Sequence, residues 1–245
     1  MDKIMQPPQI YFIVVLVLSF ISFLFLLYSP VKALKRKSHS TFYFGLFYLW
    51  LTLRFLVILL QLKALSVILA NVLFVLAAYS LLYAIKCRDG RLGREIFEDT
   101  LVWFNAGLVL LVSWLSAAYS PDFIAYGVML VDINVAVIIL LCVAHISRSR
   151  VQPQPSIGEK VFSMSGILCA GLISIAWLPL IVYDQQHIQL SFVFVVQTIM
   201  VITFFGAILT LILSDIIDFH YQNSITDAMT GLYNRRYFLQ RCKVI

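Results

Sequence analysis

Charged side chains are scarce in this sequence. Asp, Glu, Lys and Arg make up 12% of the 245 residues, whereas a soluble domain usually carries about 25%. Hydrophobic residues reach 62% and are gathered into runs of about 20, the length of helix that crosses a hydrocarbon layer. A soluble core of this size cannot bury so much apolar surface. The composition therefore excludes a soluble protein and indicates an integral membrane protein.

Cysteine is also sparse, and its placement excludes a disulfide framework. The four cysteines are Cys87, Cys142, Cys169 and Cys242. Two lie in apolar runs and the other two on the basic side of the chain, so none is expected in an oxidising compartment. Metal ligands do not converge in the sequence either, because Cys169 and His145 stand isolated. We expect no metal site and no cofactor in this chain.

The apolar runs predict an all-α membrane protein. Hydrocarbon satisfies no backbone polar group, so each run is expected to be a helix. We predict a bundle of seven transmembrane helices over residues 1–214. The predicted spans are Ile10–Tyr28, Thr41–Leu62, Ala64–Ile85, Thr100–Tyr119, Phe123–Ile146, Val161–Tyr183 and Leu190–Ser214.

The distribution of Lys and Arg predicts the orientation. Fifteen of the 18 basic residues flank the spans on one side, and only Lys3 and Lys63 lie on the other. The positive-inside rule then places the N-terminus outside and the C-terminus in the cytoplasm. The net charge of +6 is explained by this topology, with the lipid bilayer and its anionic headgroups as the partner surface. We expect no nucleic-acid partner.

Two ionisable residues fall within predicted spans, where charges are costly and often functional. Arg54 in span two and Asp132 in span five both lie about 12–14 Å below the outer edge of the membrane. Their equal depth suggests a buried ion pair that joins the two spans. Such a pair acts either as a structural clamp or in ligand binding and signal gating.

Uncharged polar residues in the spans predict hydrogen bonds between helices, worth about 0.6–2 kcal/mol each. Two glycines of span six, Gly166 and Gly171, predict close helix approaches. The polar residues are Asn71, Asn105, Asn134, His145 and Gln197.

The composition changes after Ser214, and this tail carries the most specific motif in the chain. We predict that residues 215–226 prolong the seventh helix as a cytoplasmic connector. The motif that follows resembles the opening of a GGDEF domain, the catalytic module of bacterial diguanylate cyclases, which begins Asp-x-Leu-Thr-x-Leu-x-Asn-Arg-Arg. Met229 stands where Leu is usual, a volume-conserving change, and Gly231 permits the turn that this opening makes. The matching residues are Asp227, Thr230, Leu232, Asn234, Arg235 and Arg236.

The resemblance implies a membrane-bound sensor in the bacterial cytoplasmic membrane, with residues 227–245 as the first segment of an α/β GGDEF domain. In the complete protein it implies a homodimer, formed through the seventh helix and connector, that condenses two GTP to cyclic di-GMP with Mg²⁺. The metal-binding Asp and the GG[DE]EF loop come later in that family than residue 245. We therefore expect this chain to be inactive alone, with no catalytic residue, as a fragment, a truncated product or a decoy.

Other seven-span classes fit less well. The seventh span has no Lys for a retinal Schiff base and no Asn-Pro-x-x-Tyr sequence of the receptors that couple to G proteins. A transporter remains an alternative, although paired broken helices and a chain of carboxylates are lacking. A non-catalytic protein that dimerises with and regulates an intact cyclase is a further alternative.

Overall fold

Seven helices make up nearly all of the described chain, which contains no strand. The computed structural model describes residues 7–28, 38–60, 64–88, 100–119, 121–148, 155–177 and 186–225. The all-α prediction is confirmed for these residues. The helices are α1 Pro7–Tyr28, α2 Ser38–Leu59, α3 Ala64–Arg88, α4 Thr100–Tyr119, α5 Pro121–Arg148, α6 Ile157–Ile175 and α7 Gln186–Ile225.

Within the described ranges, six helices, α2 to α7, are long and apolar enough to cross a bilayer. The chain is therefore a multi-pass membrane protein. Helix α1 has 22 residues, but the part whose side chains are described, Ile13–Leu27, is shorter than a full span. A crossing by α1, and with it the count of seven spans, stays a prediction.

Helix α6 begins at a capping box. The Ser156 hydroxyl accepts a hydrogen bond from the Glu159 N–H at 3.2 Å, and the Glu159 carboxylate accepts one from the Ser156 N–H at 3.2 Å. This exchange satisfies N–H groups that have no partner within a helix. The helix thus starts before the predicted span Val161–Tyr183. It ends at Ile175, and the last part of that span lies outside the described residues.

Helix α7 is much longer than a membrane crossing. Its 40 residues extend about 60 Å, whereas the hydrocarbon layer is about 30 Å thick. The prediction that the seventh helix continues beyond Ser214 is confirmed as far as Ile225. The residues of the GGDEF-like motif, from Asp227 onward, lie outside the described part of the chain.

Six helices form a closed ring in the order α1, α2, α3, α5, α6 and α7, with α7 packed back on α1. Helix α4 packs against α3 and α5 and exposes Phe104 and Trp114. Aromatic side chains fill part of the interior. Phe204 of α7 contacts Phe47 of α2 and Phe162 of α6, with ring centroids 6.0 Å and 5.9 Å apart. This apolar packing surrounds the few buried charges described next.

Candidate functional site: two buried charged clusters

Arg54 lies near the end of α2 and is only 3% exposed. Its guanidinium carbon is 3.7 Å from the ring centroid of Phe74 on α3 and 5.6 Å from that of Phe55. Aromatic faces attract a cation at such distances, most strongly where water is excluded. Two of its nitrogens, Nε and Nη1, have no hydrogen-bond partner among the described residues. The rings therefore hold the cation but do not satisfy its donors.

Asp132, near the middle of α5, is also 3% exposed. Its Oδ2 accepts a hydrogen bond of 3.0 Å from the indole Nε1–H of Trp177, which lies in the turn after α6. Its Oδ1 has no partner among the described residues. Trp177 was not identified from the sequence, although a buried indole N–H always requires an acceptor.

Both helices that carry these two charges, α2 and α5, pack against α3. The side chains that they contact are nevertheless Phe74 for Arg54 and Trp177 for Asp132. We call these two residues the Arg54–Asp132 site. Their burial is confirmed, and the direct ion pair stays a prediction.

Gln197 on α7 adds a further polar group on the same side of the bundle as Trp177. It is buried, and its Oε1 has no partner among the described residues. The preceding residue, Val196, packs in one apolar cluster with Trp177. For Gln197 and His145 the predicted hydrogen bond between helices stays a prediction.

Three asparagines join α3, α4 and α5, as predicted. Asn71 donates to the Ser113 hydroxyl at 2.9 Å. Asn105 and Asn134 exchange two hydrogen bonds of 3.2 Å and 3.0 Å, and Asn105 also donates to the Tyr79 hydroxyl at 2.9 Å. In hydrocarbon such bonds replace partners that lipid cannot supply, so they fix α4 on the outside of the ring.

The second charged cluster joins three helices at the far end of α3. Arg88, the last residue of α3, binds Asp215 of α7 through two parallel bonds, Nε to Oδ2 and Nη2 to Oδ1, each 2.9 Å. Its Nη1 donates to Glu159 of α6 at 2.9 Å. The side chains of Arg88, Glu159 and Asp215 are 9%, 18% and 11% exposed. We call these three residues the Arg88 clamp.

The helices themselves favour these charges at these positions. Arg88 lies at the C-terminus of α3 and Glu159 in the first turn of α6, where the helix dipoles stabilise a cation and an anion respectively. The fork of the guanidinium matches a carboxylate in geometry, which makes paired bonds of this kind strong and directional. The clamp therefore fixes α7 at Asp215, directly after the predicted end of its span.

A close helix approach reinforces the clamp. The Gly158 N–H of α6 donates to the Ser214 hydroxyl of α7 at 3.1 Å. A methyl group added at Gly158 would lie 2.7 Å from the backbone Cα of Leu211, so only glycine fits there. Gly166 also permits a close approach, because an added Cβ would lie 2.6 Å from Val143 of α5. At Gly171 no close approach is found, because no atom of another described segment lies within 4 Å of an added Cβ.

The sequence does not predict the Arg88 clamp. Arg88 is one of the fifteen basic residues on one side of the spans, and Asp215 is the first residue of the predicted connector. One local signal was available, since Ser156 and Glu159 have the spacing of a capping box. That signal predicts where α6 starts but not which residue Glu159 binds.

The described residues contain no group of three His, Cys, Asp or Glu side chains able to hold a metal ion. Searches of family models, curated proteins and solved structures found no match to this chain. The functional proposal therefore depends on the chain's own residues.

Proposed function

We propose that this chain is the membrane sensor half of a signalling protein of the diguanylate cyclase type. It lies in a bacterial cytoplasmic membrane with seven spans and a cytoplasmic C-terminus. One observation carries the proposal. Helix α7 continues unbroken from the bundle to Ile225, two residues before Asp227, where the GGDEF-like sequence starts.

An unbroken helix transmits motion mechanically, because a shift or rotation at one end reappears at the other. The Arg88 clamp holds α7 where it passes Ser214 and Asp215. A rearrangement that moves α3 or α6 therefore moves the connector. In the complete protein, two connectors in a homodimer set how the catalytic domains face each other. GTP and Mg²⁺ bind to those complete domains and to no residue of this chain described here.

The test is a chimera that joins residues 1–226 to the catalytic GGDEF domain of an established diguanylate cyclase, aligned at Asp227. Cyclic di-GMP is measured in cells by mass spectrometry at matched protein levels. We expect the chimera to make cyclic di-GMP and Arg88→Ala to change its output several-fold. Arg148→Ala, an exposed arginine at the end of α5, is the matched control and leaves the output unchanged.

Helix phase provides a second readout in the same chimera. Two residues inserted after Phe219 turn the catalytic domain by about 200°, whereas seven residues restore its facing to within about 20°. We expect the first insertion to alter the output and the second to preserve it.

An output that is insensitive to the clamp variant and to both insertions contradicts the proposal. Lower cyclic di-GMP on co-expression of the unfused chain with an intact cyclase favours the dimerising regulator instead. Solute uptake by vesicles containing the chain favours a transporter.

A further inference from the structure

Two consecutive residues fix α7 near the point where it leaves the bundle, and they bind different helices. Ser214 accepts a hydrogen bond from the Gly158 N–H of α6 at 3.1 Å. Asp215 accepts two hydrogen bonds from Arg88 of α3, each 2.9 Å. Residues 217–221, which follow directly, are exposed. The contacts of Ser214 and Asp215 therefore control how the connector is placed.

The Glu159 carboxylate of α6 belongs to two sets of bonds at once. Its Oε1 accepts a hydrogen bond from Arg88 Nη1 at 2.9 Å, and its Oε2 accepts one from the Ser156 N–H at 3.2 Å. The Ser156 hydroxyl in turn accepts the Glu159 N–H at 3.2 Å. A movement of this carboxylate that breaks one set disturbs the other. The start of α6 and the attachment of α7 therefore depend on the same side chain.

We propose that these bonds form a two-state latch, which is closed in this structure and opens as a unit to release α7. We call it the α7 latch, and its residues are Arg88, Ser156, Gly158, Glu159, Ser214 and Asp215. What the latch regulates rests on the proposed function, since the released helix is the one that leads to the catalytic domain. The opening itself requires no catalytic domain.

The geometry of the latch opposes intermediate positions of α7. An N–H···O bond is strong only between about 2.7 and 3.2 Å, and a slide of α7 by one residue is about 1.5 Å. Such a slide separates Ser214 from the Gly158 N–H, which belongs to the backbone and cannot follow. Arg88 cannot follow Asp215 without leaving Glu159. Packed interfaces of this kind change between discrete arrangements and do not deform continuously.

The position of the latch allows it to open. It lies at the C-terminus of α3 and the N-terminus of α6, and the side chains of Arg88, Glu159 and Asp215 all keep some exposure to solvent. Water can hydrate the groups that opening releases. Opening therefore costs only the net value of each hydrogen bond, not the larger penalty of leaving a buried group unsatisfied.

The test is native-state hydrogen exchange of the purified full chain in detergent, resolved to single amides by mass spectrometry. Exchange of a hydrogen-bonded amide reports the local opening that exposes it. The amides of Ser156, Gly158 and Glu159 each donate a hydrogen bond within the latch. We expect these three amides to share one protection factor, because a single opening exposes them all.

The variant Asp215→Asn separates a latch from independent contacts. Asp215 binds Arg88 of α3, whereas the three amides belong to α6. We expect this variant to lower all three protection factors by about 10- to 150-fold, the effect of losing hydrogen bonds to a charged group. Ser174→Ala, which removes a hydroxyl bonded to Ala170 within α6, is the matched control and leaves them unchanged.

A milder variant, Ser214→Ala, gives the answer if Asp215→Asn fails to fold. It removes only the acceptor of the Gly158 N–H. In a latch, the protection of Ser156 and Glu159 falls together with that of Gly158, although by a smaller factor than in Asp215→Asn. Unchanged protection of the Ser156 and Glu159 amides in these variants overturns the proposal.

The cyclase chimera shows whether the latch regulates output. Asp215→Asn and Ser156→Ala act from different helices, yet both open the same latch, so we expect them to change cyclic di-GMP in the same direction. Changes in opposite directions overturn the regulatory role. A chimera that makes no cyclic di-GMP contradicts the proposed cyclase function, and the exchange data from the full chain then decide on the latch alone.

Discussion

Arginine side chains lie at two positions about 21 Å apart along α3. The buried Arg54 packs against Phe74, and the partly buried Arg88 is the last residue of the helix. Arg88 binds Glu159 and Asp215, so this cluster joins three helices. At the Arg54–Asp132 site, two nitrogens of Arg54 and one oxygen of Asp132 have no partner among the described residues, which lowers stability. Within the described part of the chain, buried charge is therefore fully paired in one cluster and only partly paired in the other.

The largest expected effect comes from Arg88→Ala, which removes the guanidinium that binds both Glu159 and Asp215. Removing one partner of a buried ion pair costs about 3–5 kcal/mol. We expect the free energy of unfolding of the purified protein in detergent to decrease by an amount near this range. Arg88→Lys retains the charge but not the paired bonds, so we expect its stability to lie between those of the unmodified chain and Arg88→Ala. Equal Tm values for Arg88→Ala and the control Arg148→Ala would show that Arg88 contributes no more to stability than an exposed arginine does.

Removing the charges of the Arg54–Asp132 site should not lower the stability of the protein, in contrast to Arg88→Ala. The double variant Arg54→Met and Asp132→Leu removes both buried charges at similar volume. Replacing buried charges by hydrophobic residues of similar volume is often neutral, or stabilising by about 1–4 kcal/mol. We expect a Tm at or above that of the unmodified chain. A loss of stability as large as that of Arg88→Ala would show that the site is a structural clamp.

Gly158→Ala tests the close approach of α6 and α7 beside the clamp. The added methyl group would collide with the backbone at Leu211, which a flexible side chain cannot relieve. Overpacking of this kind costs about 1–3 kcal/mol. Gly171→Ala in the same helix is the matched control. It meets open space and should stabilise by about 0.5–1 kcal/mol through helix propensity. A higher Tm for Gly158→Ala than for Gly171→Ala would contradict the close approach of α6 to α7 at Gly158.

The smallest effect is expected at the amide pair of Asn105 and Asn134. A double-mutant cycle with Asn105→Leu and Asn134→Leu isolates their coupling. We expect about 0.6–1.7 kcal/mol, as for hydrogen bonds between membrane helices. A coupling of zero would mean that the two exchanged hydrogen bonds contribute nothing to the attachment of α4.

The fold class follows from the sequence because a chain in lipid must satisfy its backbone hydrogen bonds internally. Each apolar run had to form a helix. The runs that begin at Ala64 and Thr100 lie within α3 and α4, and the run that begins at Thr41 lies in α2 as far as Leu59. The bounds of α6 were harder to predict. Its start depends on the capping box at Ser156, and the last part of the predicted span Val161–Tyr183 lies outside the described residues.

For the charged residues too, the sequence predicts some features and not others. Hydropathy identified Arg54 and Asp132, because a charge within an apolar run is conspicuous. It did not reveal Phe74 and Trp177 as their partners, since an aromatic residue in an apolar run looks like any other core residue. Arg88 and Asp215 went unnoticed for the converse reason, because charges at the ends of spans are ordinary.

The sequence by itself determined that this protein is a helical bundle in a membrane, that two charges lie within it, and that its last helix continues toward a GGDEF-like motif. These properties depend on composition and on spacing along one chain. Only the tertiary structure decided that Arg88 joins α3, α6 and α7, while some polar atoms of Arg54 and Asp132 have no partner among the described residues. Hydrogen bonds depend on which helix faces meet at distances below about 3.5 Å, and residues 127 positions apart carry no local signal of such a meeting.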